Sequence, residues 1–290
     1  MFLWGMANSE LLGARHTVTL PSGTIEYSER GTGTPVVFVH GLLVNADLWR
    51  NVVPAVADAG FRCLAPDWPL GSHTVPMPPA ADLSPPGVAG LIAEFLDTLD
   101  LADVTLVAND TGGALVQLLM TRHPERIGRV VLTPCDAFEY FFPPGFAYLP
   151  KIAAVPGAVW SMTRALSIPA VQHSSLGFGM TSRQRIPADV LASYTAPARR
   201  DAGVRRDLRR FLRGVHNRYT LAAAELLPSF TKPVLLVGAE NDRVFPAALA
   251  ARLAALLPDS RQVTVADSYT FIPEDQPAEL AKLVVEFMSG

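Results

Sequence analysis

Val104-Thr105-Leu106-Val107-Ala108-Asn109-Asp110-Thr111-Gly112-Gly113-Ala114-Leu115 reads as a buried strand, a sharp turn and the start of a helix. Ala108 and Gly112 stand two places either side of Asp110. A strained, tightly packed turn tolerates only small residues there. The turn lifts Asp110 above the strand ends, at a helix N-terminus whose free N–H groups favour a carboxylate. The same residues also fit an ordinary helix with an aspartate N-cap, so segments elsewhere decide between the two.

Outward from this stretch, short Val-rich runs alternate with longer runs of helical period, the pattern of a parallel sheet covered by helices. The strands fall at His16 to Leu20, Thr24 to Glu29, Val36 to Val39, Arg62 to Ala65, Val104 to Val107, Val130 to Thr133, Val234 to Val237 and Gln262 to Val265. Pro21-Ser22-Gly23 makes the first two an antiparallel hairpin; the rest read as parallel. Gly87 to Leu99, Gly113 to Arg122, Ala247 to Leu257 and Pro277 to Met288 carry apolar residues at helical spacing. The expected class is α/β, a mostly parallel eight-stranded sheet with helices on both faces. The rhythm stops between about Ala137 and Leu221, which predicts a core of residues 1–136 and 222–290 and an inserted helical cap over 137–221.

Composition sets the class of partner. With 290 residues, 49% hydrophobic and 18% charged, the chain buries a large core, which excludes disorder, collagen and coiled coil. A formal charge of -3 provides no general attraction for nucleic acid or an anionic membrane. Apolar stretches are interrupted well before the roughly 18 residues of a membrane span. Met1 to Glu10 lacks a basic region and a cleavage site for a secretory leader. The chain therefore reads as cytoplasmic, with monomer and homodimer both open. Cys63 and Cys135 read as buried free thiols, and no metal or organic cofactor is implied.

Two more segments bear on Asp110. Val36 to Val39 is a buried strand ending in His40-Gly41-Leu42-Leu43. Val234 to Gly238 runs into Ala239-Glu240-Asn241-Asp242-Arg243-Val244-Phe245-Pro246, which places Asp242 just beyond a late strand. Taken with the Asp110 turn and the interrupted rhythm, these segments make the chain resemble α/β-hydrolase-fold proteins of the aspartate-nucleophile kind, near haloalkane dehalogenases and epoxide hydrolases. The resemblance covers nearly the whole chain. It implies Asp110 as nucleophile, the Leu42 and Thr111 amides as an oxyanion hole, and Asp242 as the acid that orients a base. It also implies a small apolar substrate.

The chain departs from that pattern where the base belongs. The stretch after the last strand reads Ala266-Asp267-Ser268-Tyr269-Thr270-Phe271-Ile272-Pro273-Glu274-Asp275-Gln276-Pro277, with Thr270 in the position of the expected His. All six histidines precede the Val234 strand. Residues that replace a triad keep its positions, so Thr270 and Asp242 are expected on one cavity with Asp110. Asp136, just past the Val130 strand, is either a triad acid or a loop hydrogen-bonding residue. Thr111 stands where dehalogenases carry a halide-holding Trp, and Leu43 where epoxide hydrolases carry Pro. Phe138, Tyr140, Phe141, Phe142, Phe146, Tyr148 and Trp160 crowd the start of the cap, as pocket lining or as packing. The expected substrate contacts are His40, itself read as mainly structural, with Asn109, Phe138, Tyr140, Phe141, Tyr148 and Tyr219. The Arg199–Arg213 run reads as a solvated helix face rather than a nucleic-acid site.

Three functions fit this sequence. One is hydrolase-like chemistry through Asp110 without its water-activating His. A second uses the pocket for isomerisation, cyclisation or elimination, with Asp110 as acid/base. The third is a ligand-binding protein that has lost turnover.

Overall fold

The computed structural model describes residues 9–290; Met1–Asn8, most of the segment read above for a leader, lies outside the described residues. Eight strands form one sheet: β1 Ala14–Leu20, β2 Gly23–Arg30, β3 Pro35–Val39, β4 Arg62–Pro66, β5 Val104–Asp110, β6 Ile127–Cys135, β7 Val234–Ala239 and β8 Ser260–Val265. Their order is β1-β2-β4-β3-β5-β6-β7-β8. β1 and β2 pair antiparallel, β2 meets β4 antiparallel, and β3 to β8 run parallel to one another. All eight expected strands are present, each within a few residues of its expected bounds.

Why helices cover both faces follows from the period of two along each strand. Val37 and Val39 of β3, Leu106 and Ala108 of β5, Val130 and Leu132 of β6, and Leu236 of β7 enter one apolar cluster. That cluster is completed by α2 Pro85–Thr98, α3 Thr111–Arg122 and α10 Ala248–Leu256. The intervening Val36, Phe38, Val107, Val131 and Leu235 enter the other, against α1 Val53–Asp58 and α12 Pro277–Ser289. Each buried Val or Leu contributes roughly 1.5–3 kcal/mol, so neither face is left uncovered.

Between β6 and β7 lie α4 Leu149–Ala154, α5 Ala158–Ala165, α6 Pro169–Gln172, α7 Ala188–Arg200, α8 Ala202–Gly214 and α9 Arg218–Leu226. α9 runs across the boundary expected at 221, and its Ala223 and Tyr219 pack with Ala89 of α2 and Leu118 of α3. The arginine run is not a free solvated face. Arg205 donates to the carbonyls of Ala198 and Arg199 at 2.9 and 3.0 Å, Arg209 to that of Ala153 at 2.8 Å, and Arg206 and Arg210 to those of Met77 and Ala81. These side chains close a helix C-terminus and stitch α8 to its neighbours.

Several hydrogen bonds hold the loop after β8 against the rest. The Phe271 amide donates to the Thr181 carbonyl at 2.6 Å. Asp275, in α11 Ile272–Asp275, accepts from the Ser182 hydroxyl and from the amides of Arg183, Gln184 and Tyr269 at 2.8–3.0 Å. Beside it, Glu274 accepts a two-pronged pair from Arg50 at 2.6 and 2.7 Å and a hydroxyl bond from Tyr194 at 3.2 Å, all buried.

Glu274→Ala leaves the Arg50 guanidinium buried without its carboxylate and costs about 3–5 kcal/mol in urea unfolding followed by circular dichroism. Arg50→Met combined with Glu274→Leu recovers most of that loss, because the pair is then replaced by apolar groups of similar bulk.

Candidate active site

The chain leaves β3 toward β4 on one side, while β5 lies on the other, so a crevice opens above the carboxyl ends of β3 and β5. Val39 pairs in register with Ala108, which places the Gly41–Leu42 turn beside Asp110. Asp110 takes φ 55° and ψ -132°, and its side chain makes no capping bond to α3. It is therefore an elbow residue, not an ordinary N-cap. The approach is close enough that a Cβ at Gly41 would collide with the Asp110 carboxylate, one at Gly112 with the Val39 carbonyl, and one at Gly113 with Cys135. Only glycine fits those three places.

Asp110 Oδ2 accepts the Leu42 amide at 3.2 Å, and the Thr111 amide also stabilises the carboxylate. Burial nevertheless wins: it pushes the Asp110 pKa up to about 6, against the two amides and aided by the negative charge of Asp242. Asp136 is fully buried directly after β6, where it accepts the Thr111 hydroxyl at 3.0 Å, and its other oxygen has no partner. Burial, then the Asp110 charge, hold its carboxyl well above the usual carboxylate range. Asp242 accepts the Val244 and Phe245 amides at 2.7 and 3.0 Å and the Thr270 hydroxyl at 2.7 Å. Burial raises its pKa despite those bonds.

Asp110 and Thr111 stand at one end of a largely apolar cavity whose other walls include Leu42, Leu43, Phe142, Phe146, Tyr148, Met162, Leu166, Leu176, Phe178 and Phe271. Thr270 and Asp242 do not line it. Thr270 is fully buried, turned onto Asp242, and the neighbouring Phe271 forms the wall instead. The expectation that both line the cavity is corrected accordingly, although Asp242 is near enough for its charge to act on Asp110.

Of the seven expected substrate contacts, Tyr148 alone is on the cavity wall. His40 is fully buried, its Nδ1 2.8 Å from the Gly41 carbonyl and its Nε2 accepting the Trp68 amide at 2.9 Å. Those partners assign the proton to Nδ1, and burial lowers its pKa to about 4. Asn109 is also fully buried and donates to the Thr133 hydroxyl and the Thr270 carbonyl, both at 2.8 Å, which ties β5 to the loop after β8. Phe138 lies under Arg252, Phe141 packs edge-on against Phe142, Tyr140 packs on the core, and Tyr219 stacks with Arg218. Packing within the core and between helices accounts for all four.

Met162, Leu166, Leu176, Phe178 and Phe271 are wall residues that the sequence reading did not single out. The four-residue spacing of Met162 and Leu166 is a signal for one helix face; the others carried none. Among the described residues, no group of three His, Cys, Asp or Glu side chains is placed to hold a metal ion.

The sequence signature of the alpha/beta hydrolase family matches residues 36–283. Haloalkane dehalogenase 2 of Mycobacterium bovis is 29% identical over 282 residues, 91% of this chain and 91% of that protein. A cis-3-alkyl-4-alkyloxetan-2-one decarboxylase of Shewanella oneidensis is 26% identical over 291 residues, 95% of this chain and 88% of that one. Among solved structures, the epoxide hydrolase CorEH superposes with a TM-score of 0.81 at 17% identity, over 95% of this chain and 98% of that one.

Thr270→Val removes a hydroxyl bond to a buried carboxylate and costs about 1.5–3 kcal/mol at pH 7. That bond lowers the Asp242 pKa, so its contribution is present when Asp242 is ionised and is lost as pH falls through the folded-state pKa. The difference between variant and parent in urea unfolding therefore shrinks between pH 7 and pH 4.

Proposed function

The chain belongs to the alpha/beta hydrolase family, and on that premise we propose that it acts on a small apolar electrophile of the alkyl halide, epoxide or ester type through Asp110. One observation carries the reading: a carboxylate on a left-handed elbow, held by two amides, stands at the end of an otherwise apolar cavity. Residues 137–221 act as a cap over it, since the cavity walls from Phe142 to Thr181 all come from that segment. The names of the Mycobacterium and Shewanella relatives agree with an apolar alkyl substrate.

In the first half-reaction an Asp110 oxygen bonds to the electrophilic carbon as the carbon–halogen or epoxide C–O bond breaks. Halide departs as the anion; an epoxide oxygen takes a proton, for which Tyr148 is the tyrosine on the wall. The product is an alkyl or hydroxyalkyl ester of Asp110. In the second half-reaction water attacks the ester carbonyl and the Leu42 and Thr111 amides hold the oxyanion. That water must lose a proton. Thr270 has no basic lone pair near neutrality, and both ring nitrogens of His40 are engaged. Asp242, whose Oδ2 has no partner, is the remaining carboxylate for the role, and it is a weaker base than imidazole. Ester cleavage is the slow step.

One observation favours a second reading. Burial pushes the Asp110 pKa up to about 6, beside an Asp136 carboxyl that burial and the Asp110 charge push up as well, a pairing suited to moving protons at neutral pH. Isomerisation, cyclisation or elimination with Asp110 as acid/base needs no water-activating base. The Shewanella relative, a decarboxylase by name, is a precedent for non-hydrolytic chemistry on a related chain.

Incubation with a panel of alkyl halides and epoxides, followed by intact mass, is expected to show one adduct that Asp110→Asn abolishes. Thr270→His speeds its release by up to roughly 10²–10⁴. Unmodified protein that hydrolyses the panel rapidly overturns the first reading; a rearranged or eliminated product without an adduct supports the second.

The attacking form is the anion, so adduct formation is lost as pH falls through the folded-state pKa of Asp110. The acid limb of its rate therefore lies near pH 6, well above the usual carboxylate range. Asp242→Asn keeps the acceptor oxygen but removes a like charge, so the limb moves to lower pH.

A further inference from the structure

The chain carries -3 overall, yet its charge is unevenly divided. From Tyr140 to Ala188 there are 49 residues with no Asp or Glu and with Lys151, Arg164, Arg183 and Arg185, so this segment carries +4 and everything else -7. All four cations are exposed. Arg183 is paired with Asp267; the other three make no ion pair among the described residues. The same segment holds five of the eight exposed large apolar side chains among the described residues: Tyr148 at 37%, Val155 at 55%, Trp160 at 49%, Ile168 at 51% and Leu176 at 65%.

This segment also supplies part of the rim of the cavity that ends at Asp110. Tyr148 and Leu176 line the cavity and are also exposed. α5 turns Met162 toward the cavity and presents Trp160 to solvent, with the Arg164 guanidinium 5.0 Å over its ring. A crevice on either side of the rim mixes the same two chemistries. One joins Val155 and Trp160 to Arg205 and Arg209, whose bonds to carbonyls leave their charge uncompensated. The other holds His173 and Arg185 and shares Phe178 with the cavity.

We propose that the rim of this cavity docks on an anionic lipid surface, with Trp160, Ile168 and Leu176 entering the interfacial layer and Lys151, Arg164 and Arg185 meeting the head groups. Charge complementarity selects this partner. An acid-free, cationic stretch of the chain coincides with the largest set of exposed apolar side chains among the described residues, a combination that binds bilayers carrying negative charge. An apolar patch alone marks an interface without saying what covers it; the surrounding cations do. An apolar substrate dissolved in the bilayer then reaches Asp110 through the Tyr148–Leu176 mouth without crossing water. That last step rests on the proposed function, whereas the docking does not.

Co-sedimentation of the full chain with phosphatidylcholine vesicles, with and without about one third phosphatidylglycerol, tests the docking without any measurement of catalysis. Binding is expected to the anionic vesicles only and to fall at least 10-fold when salt rises from about 0.05 to 0.5 M. Lys151→Gln with Arg185→Gln weakens it roughly 30-fold at low salt. Trp160→Ser with Ile168→Ser weakens it without altering the salt dependence. All four positions are exposed, and unchanged thermal unfolding of the variants confirms that the fold is intact. The Trp160 emission, isolated by difference from Trp160→Phe, shifts to shorter wavelength on the anionic vesicles. Absence of binding overturns the proposal, as do equal binding to neutral vesicles and a preference for soluble polyglutamate over vesicles. A dimer in light scattering that Trp160→Ser dissolves, without vesicle binding, assigns the face to a second copy of the chain and also overturns it.

Discussion

The site depends on a close approach between the backbone at Gly41 and the Asp110 carboxylate. Asp110, at φ 55°, pushes its side chain into the space where a Cβ of residue 41 would lie. That position is stable because Gly41, Gly112 and Gly113 let three segments pass within contact of one another. Left-handed backbone at a non-glycine residue costs of order 1–3 kcal/mol, and the buried strands on either side, β3 and β6, hold it there. The topology supplies the rest. Because β3 and β5 are neighbours with connections leaving in opposite directions, the Leu42 amide arrives where the carboxylate projects.

The electrostatics around this point have an unusual balance. Asp110 feels the charge of Asp242 and Asp136 that of Asp110, and none of the three is ion-paired to a cation among the described residues. His40, near enough in sequence, is committed to Gly41 and Trp68 and is kept neutral by burial. Amides and hydroxyls do the compensating: Leu42 and Thr111 at Asp110, the Thr111 hydroxyl at Asp136, and Val244, Phe245 and Thr270 at Asp242. Dipoles offset burial only in part, which is why all three pKa values rise. Because the three carboxyls feel one another's charge, their protonation is set jointly.

The acid-free segment from Tyr140 to Ala188 supplies much of the cavity wall. The helices of that segment are joined to the loop after β8 by Asp275 and by the Phe271–Thr181 bond. The cavity is therefore bounded by parts distant in sequence yet directly bonded.

Much of this was legible along the chain. Alternating Val-rich runs announced all eight strands and their two covered faces, because side-chain direction in a strand depends only on its period. Small residues around Asp110 pointed to the strained turn it occupies, at φ 55°. Local pattern is enough where the structural cause is local. The cavity wall was not legible, since Phe178 and Phe271 look like any core phenylalanine and reach one cavity only after folding brings them to within a ring contact of 6.5 Å. Asn109 bonds Thr270 across 161 residues, and no spacing rule predicts that. The arginines of α8 looked like a solvated face until their carbonyl partners were in place. Which aspartate ionises was equally hidden, because burial and the distance between charges exist only in the folded chain. Residue types and their order determined the fold and named the carboxylates; three-dimensional packing decided which groups share a cavity and what charge they bear.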